Sequence, residues 1–478
     1  MSALRCRLAA ACLLLSAPLA QAAVKPGLEG AQDLFRRNRW EEARAHLRAQ
    51  WAALPAKDQA AATFLIGRSC VREAEFYRAA RQLGIEVGLA YYKELLAQRS
   101  NRSVALVPLF ASFYQLEAGE DREAERGLLA AEGAASLPPE WRATARLRRA
   151  VALSRLAGGP VPALQQPSAE ARFWRLLLTS AADPSVAAAD RRERLLAAPV
   201  LFRASRAAAA ESLLAAVDLD LPDAESKADP RKLLRFHDPL LAAAWERVCW
   251  ERAALALRPL AAAGTGTERV LAGYYLGLSL VRLGAPGEAV PFLQPATTAA
   301  ELGPLQSTAR LLLAASSWKG RVPPASELLP LWEATQAQPE AVLAWDELRR
   351  KDLLRAEPYA TRLDARLNVL LPPGERAAGA LVASWALARL RRGDDPGSLV
   401  ALLSEHRDDA NKNKIDWNDP LLLLALAAAN ARSQQYAQSL ETLFELSKSF
   451  PGLRWLQWNL QGVYAARQKA GGETRISQ

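Results

Sequence analysis

Along this chain apolar residues return at the three-and-four spacing of a helix face, and no stretch alternates convincingly between apolar and polar. Ala, Leu, Arg and Glu dominate and all favour helix, while Val, Ile and Thr are sparse. The pattern predicts an all-α protein. Its clearest unit starts at Ala31. Ala31 and Leu34 share one helix face, Arg37-Asn38-Arg39 makes a turn, and Trp40, Ala43 and Leu47 stripe a second helix that Pro55 stops. The small residues Ala31 and Ala43 let two backbones approach, while Trp40 and Leu47 fill the groove to the next hairpin. The chain has 478 residues. Single cores rarely exceed about 250–300 residues, so this length calls for several domains or for stacked units.

The unit recurs. Gly67, Cys70, Phe76, Ala79 and Leu83 predict a second hairpin directly after the first. Gly277, Leu280, Gly284, Ala289, Leu293 and Ala296 make a third, with Pro286 where the pattern prefers an aromatic. Ala427, Tyr436, Leu443, Leu446 and Pro451 make a fourth, with Asn430 and Ser439 where an apolar residue and an alanine are expected. Weaker hairpins fall at Phe110 to Ala130, Trp141 to Leu164, Ala309 to Trp332 and Ala380 to Leu403. On these residues the chain resembles the tetratricopeptide-repeat (TPR) family, whose helix-turn-helix unit is about 34 residues long.

The resemblance implies a right-handed α-solenoid of TPR-like repeats whose first helices line a groove for a protein or peptide partner. Asn430 and Arg36 are candidate groove residues. Residues 1–22 read as a signal peptide, 23–164 as an N-terminal solenoid, 165–266 as an irregular helical middle and 267–478 as a C-terminal solenoid. The middle holds many prolines and an acidic, turn-rich passage, with a loop expected near Leu221 to Lys232. Asp238-Pro239 and Asp419-Pro420 read as helix starts, with Asp as cap and Pro in the first turn. The last helix, Leu453 to Arg467, would cap the stack, leaving Gly471 to Gln478 as a frayed tail.

Composition narrows the compartment. Arg5 and Arg7, the apolar run Leu8 to Leu19 and the small-x-small Ala20-Gln21-Ala22 form an export leader too short to span a bilayer. A lipoprotein leader, cleaved before Cys12, fits the spacing less well. The longest later apolar run, Leu421 to Ala429, is also too short to cross. The mature chain is therefore expected to be soluble and periplasmic, with secretion as the alternative. Cys70 and Cys249 remain after export; an extended array would keep them apart, as buried small hydrophobes without a disulfide. The net charge is +10 and arginine far outnumbers lysine. The clusters at Arg36 to Arg39, Arg146 to Arg149, Arg191 to Arg194, Arg349 to Lys351 and Arg389 to Arg392 read as solvated helix surface. An anionic envelope polymer is their other reading. Export removes nucleic acid as a partner.

Catalytic material is scarce. His46, His237 and His406 are isolated, and no phosphate loop, dinucleotide fingerprint or nucleophile elbow occurs. Gly264-Thr265-Gly266-Thr267 has neither a strand before it nor a lysine after it. Asp409, Asn411, Asn413, Asp416, Asn418 and Asp419 look like a calcium loop, yet Lys414 and Pro420 stand where its glycine and closing glutamate belong. Glu211-Ser212 is superficially similar to the catalytic pair of periplasmic lytic transglycosylases, which carry a helical superhelix. The Gly-Leu-Met-Gln segment of that family is absent, because Met1 is the sole methionine. The tryptophans fall on apolar helix faces and read as core. Asn101-Arg102-Ser103 fits a glycosylation acceptor, a weak signal. No residue is singled out as catalytic, cofactor-binding or metal-ligating, and no cofactor is expected. The sequence thus points to an exported non-catalytic scaffold or adaptor. The alternative is a direct binder of peptidoglycan or another anionic polymer, a non-catalytic relative of those superhelices.

Overall fold

The computed structural model describes residues 26–98, 106–157, 168–179, 191–215, 239–318, 323–350, 359–368, 379–412, 419–453 and 457–476. The leader, the sequon, His237, the 221–232 loop, and Asn413, Asp416 and Asn418 lie outside them; Asp409 and Asn411 fall on a helix. No strand occurs among the described residues, so the protein is all-α. The first part runs α1 (Gly27–Arg36), α2 (Trp40–Gln50), α3 (Ala56–Ala97), α4 (Leu106–Ala118), α5 (Asp121–Gly133) and α6 (Pro139–Ala157). It continues with α7 (Ala169–Thr179), α8 (Arg191–Arg203) and α9 (Ala207–Ala215). After it come α10 (Pro239–Ala263), α11 (Gly266–Arg282), α12 (Pro286–Ala296), α13 (Leu305–Trp318), α14 (Ala325–Thr335) and α15 (Pro339–Arg350). The chain ends with α16 (Tyr359–Asn368), α17 (Gly379–Arg392), α18 (Pro396–Lys412), α19 (Pro420–Arg432), α20 (Tyr436–Ser449) and α21 (Gln457–Ile476).

Six hairpins share one turn. The first helix of each ends on a residue in the left-handed region: Asn38 (φ 57°), Gly119 (82°), Ser205 (58°), Gly284 (79°), Gly393 (85°) and Gln434 (61°). The next amide reaches back to a carbonyl of the last helical turn, as from Arg39 to Leu34, Arg206 to Leu201 and Gln435 to Asn430, each at 2.9 Å. This Schellman bond satisfies a carbonyl the helix end would otherwise leave open. Around each turn the small positions repeat. Ala31, Ser112, Ala198, Gly277, Ala386 and Ala427 are buried on the first helices. Ala43, Ala124, Ala210, Ala289 and Ser439 have no exposed surface on the second helices. Leu47, Leu128, Leu214, Leu293 and Leu443 follow on the same stripe, all buried.

The backbones do approach closely at these points. A Cβ on Gly277 would lie 2.6 Å from Leu293. Ser439, which departs from the expected alanine, uses its hydroxyl to donate to the Ala427 carbonyl at 2.7 Å. Three turns place a side chain where glycine is cheapest. Left-handed geometry costs an L-residue about 1–2 kcal/mol, so replacing exposed Gln434 by glycine is expected to raise stability by about 1 kcal/mol in a denaturant titration.

The hairpin expected at Gly67 to Leu83 does not form. One helix, α3, runs through all of it and spans 42 residues. Phe76-Tyr77-Arg78 contains no turn former, and α3 finds partners around its whole circumference, so nothing forces a break. It lies antiparallel to α10, with Gly67 against Leu257 and the Tyr77 and Trp245 rings 5.9 Å apart and nearly perpendicular. At its far end Gly88 abuts the Tyr114 ring of α4. Cys70 and Cys249 both sit buried on this helix pair as free thiols. Their separation in sequence does not put them in distant units, since the Gly67–Leu257 and Tyr77–Trp245 contacts bracket both; burial, and then the Glu73 carboxylate, push the Cys249 thiol up.

The second half of the chain folds back onto α3, which an open array would not do. Arg72 meets Asp419 at 2.7 Å, Glu86 meets Arg391 at 2.9 Å and Glu94 meets Arg467 at 2.8 Å. The Tyr77 hydroxyl donates to the Gly452 carbonyl at 3.1 Å. Asp419 caps α19 as the sequence predicts, accepting from the Leu421 amide. Two further expectations change. Where a hairpin is predicted from Trp141 to Leu164, the described residues form one helix, α6, unbroken to Ala157; the rest of that stretch lies outside them. The expected tail is helical as far as Ile476, where α21 packs on α20 and α3. No helix among the described residues is long and apolar enough to cross a membrane.

Candidate functional site

Where α3 faces α11, α13, α15 and α17, the helices leave a cavity of about 320 Å³. Helix α3 supplies Arg72, Glu75 and Arg78 along one stripe, α11 supplies Tyr274 and Arg282, and α17 supplies Arg391. Thr308 comes from α13, and Glu340 and Glu347 from α15. The wall runs from Glu75, whose side chain is 37% exposed, to Thr308 at 9%.

The arginines of this wall are paired. Arg72 bonds both Asp419 and Glu75. Arg78 and Arg282 share Glu347, the latter at 2.7 Å, and Arg391 is held by Glu86. Burial opposes the charge of Glu347, but Arg282 and Arg78 overcome it and hold its carboxyl far below the usual carboxylate range. Because the folded value is depressed, this stabilisation is present above the unfolded value of about 4.3 and is lost as pH falls below it. Glu347→Gln is therefore expected to lose about 1.5–3 kcal/mol at neutral pH, the worth of charged hydrogen bonds. Its stability should converge on that of the parent protein as denaturant titrations are repeated from pH 6 towards about pH 3.

Not every polar atom here is satisfied. Among the described residues Thr308 Oγ1, Arg282 Nε and Glu340 Oε2 are buried without a hydrogen-bond partner. Tyr274 is buried beside them, and that burial pushes its phenol up, so it stays neutral.

The residues singled out from sequence lie elsewhere. Asn430 is buried at the α19–α20 turn, and Arg36 is exposed on α1; neither lines the cavity. His46 has Nε2 3.1 Å from the Gly27 carbonyl, and His406 sits half-buried on α18. Among the described residues no three His, Cys, Asp or Glu side chains group to hold a metal. Glu211 is tied to Arg252, 2.8 Å away, and joins α9 to α10.

The arginine clusters are not simply solvated surface. Arg148 is 1% exposed, bonds Glu170 at 2.9 Å and lies 3.7 Å over the Phe113 ring. Arg149 pairs with Glu125, Arg389 with Asp394, and Arg391 with Glu86. Trp40, Trp245, Trp250 and Trp385 are core residues, as expected. The cavity itself escaped sequence reading because its residues are scattered from Arg72 to Leu421. The one local trace is a charge such as Arg78 standing among apolar neighbours, Phe76, Tyr77, Ala79 and Ala80. No family model, curated protein or solved structure matches the chain.

Proposed function

We propose that this chain is an exported, non-catalytic binding protein that holds a protein or peptide partner in the cell envelope. In this reading residues 1–22 direct export to the periplasm, and the hairpins belong to a TPR-like solenoid. The shared turn and the repeated small-residue contacts support the kinship. The observation that carries the function is the cavity wall, where α11, α13 and α15 bring together polar atoms that the fold leaves unsatisfied. Buried polar groups without partners are costly, and a bound ligand can satisfy them.

Chemistry at this wall is disfavoured by its electrostatics. A general acid or base works best with a pKa near the operating pH, whereas Glu347 is locked in its ionised form by two guanidiniums. Direct binding of an anionic polymer has less support, since Arg148, Arg149, Arg389 and Arg391 of the arginine clusters spend their charge on internal carboxylates.

The test is photo-crosslinking in cells with the tagged full chain, the crosslinker replacing Glu75 at the cavity mouth, followed by mass spectrometry. Repeated recovery of one envelope protein supports the adaptor reading. Recovery of wall fragments alone, released by salt, overturns it.

A further inference from the structure

The cavity has a chemical preference. Each of its four guanidiniums already faces a carboxylate. Glu340 adds a carboxyl group to the same wall, yet among the described residues no cation lies within salt-bridge reach of it, and its Oε2 is buried and unpaired. Thr308, nine-tenths buried, presents an unpartnered hydroxyl to the same space. Between these polar atoms the wall is apolar, with Leu278, Leu343 and Leu387. A ligand that fits must donate hydrogen bonds, bring positive charge to Glu340 and carry an aliphatic stem. Arg282 Nε remains unpaired, but a second anion is unfavourable here because each guanidinium already faces a carboxylate.

We infer that the central cavity binds an alkylammonium group, with Glu340 as its counter-ion and Thr308 Oγ1 as an acceptor for one of its N–H groups. Resting on the partner-binding reading above, this names the part of the partner that enters: a lysine side chain or a free amino terminus. Both present the same ammonium on an apolar stem. The stem packs against the leucines, while Arg78, Arg282 and Glu347 stay locked to one another and shape the wall.

Titration of the purified protein with hexylamine, read by the fluorescence of Trp250 and the other tryptophans, tests this directly. Saturable binding is expected for hexylamine and not for hexanol or hexanoate. Glu340→Gln, which keeps the shape, should weaken hexylamine by about tenfold or more, the loss expected for a charged hydrogen-bonded contact. Thr308→Val should weaken it less. A melting temperature equal to that of the parent protein verifies that each variant is folded. Two peptides then separate the sources: one with an acetylated end and an internal lysine, one lysine-free with a free amino terminus. Whichever binds with the same dependence on Glu340 identifies the group.

Equal binding of hexanol, or unchanged binding by Glu340→Gln, overturns the proposal. The two readings fail separately. An envelope protein captured as readily by Glu340→Gln leaves the adaptor standing and removes the ammonium site. Hexylamine binding that depends on Glu340, with no protein captured, does the reverse.

Discussion

Replacing Arg44 by alanine is expected to cost about 3–5 kcal/mol, close to a third or a half of what typically holds a domain folded. Arg44 and Glu73 form an ion pair between α2 and α3, with side chains 3% and 4% exposed. Burial works against the charge of Arg44, and Glu73 is the main group that restores it. Removing the guanidinium strands a carboxylate in the interior, and the penalty is chiefly that of an uncompensated charge. The pair itself is a different matter. Arg44 Nη1 has no partner, so the ions recover their desolvation only in part. The double replacement Arg44→Met with Glu73→Leu should therefore return most of the lost stability. Guanidinium unfolding of both single variants and the double variant checks this. A double variant as weak as the singles would show that the pair is needed for more than charge balance.

Trp345→Ala is expected to cost a similar about 3–5 kcal/mol, through the cavity it leaves. Its effect should be localised. Trp345 belongs to a small core separate from the main one, with Leu311, Trp318, Leu328, Trp332 and Leu363. Its ring sits 5.7 Å from that of Trp332 in an edge-on arrangement, and its indole N–H donates to Thr335 Oγ1 at 2.9 Å. The substitution therefore removes the filling of this core and one hydrogen bond, while the Thr335 hydroxyl keeps its bond to the Leu331 carbonyl. Hydrogen exchange should show α13 to α16 losing protection first, while α3 and α10 keep theirs. Uniform loss of protection would mean that the small core is not a separate unit.

The hairpins at Ala31, Gly277 and Ala427 were legible because each repeats a short-range pattern that one turn completes. The hairpin at Ser205 was not. Its turn uses serine in a conformation that usually signals glycine or asparagine, and Pro199 inside α8 made the region look irregular. The stretch from Gly67 to Leu83 misled for the opposite reason. Small and large residues at helical spacing serve equally well in a hairpin or along one helix packed on distant partners, and the spacing alone does not separate them. The cavity had no local signature at all. Arg78, Arg282 and Glu347 become neighbours only once α3 has been enclosed by α11 and α15.

Enclosing α3 also sets a timetable for biosynthesis. Its Arg72 and Tyr77 are satisfied by residues 347 and 375 positions downstream. At about 5–20 residues per second, a ribosome needs roughly 20–70 s to make Asp419 after Arg72 has emerged. Throughout that interval the longest of the described helices presents Cys70, Val71, Phe76 and Tyr77, and the guanidiniums of Arg72 and Arg78 beside them, without their final partners. Holding chaperones bind exposed apolar segments, so the unfinished chain is expected to depend on them more than an array closing one hairpin at a time would.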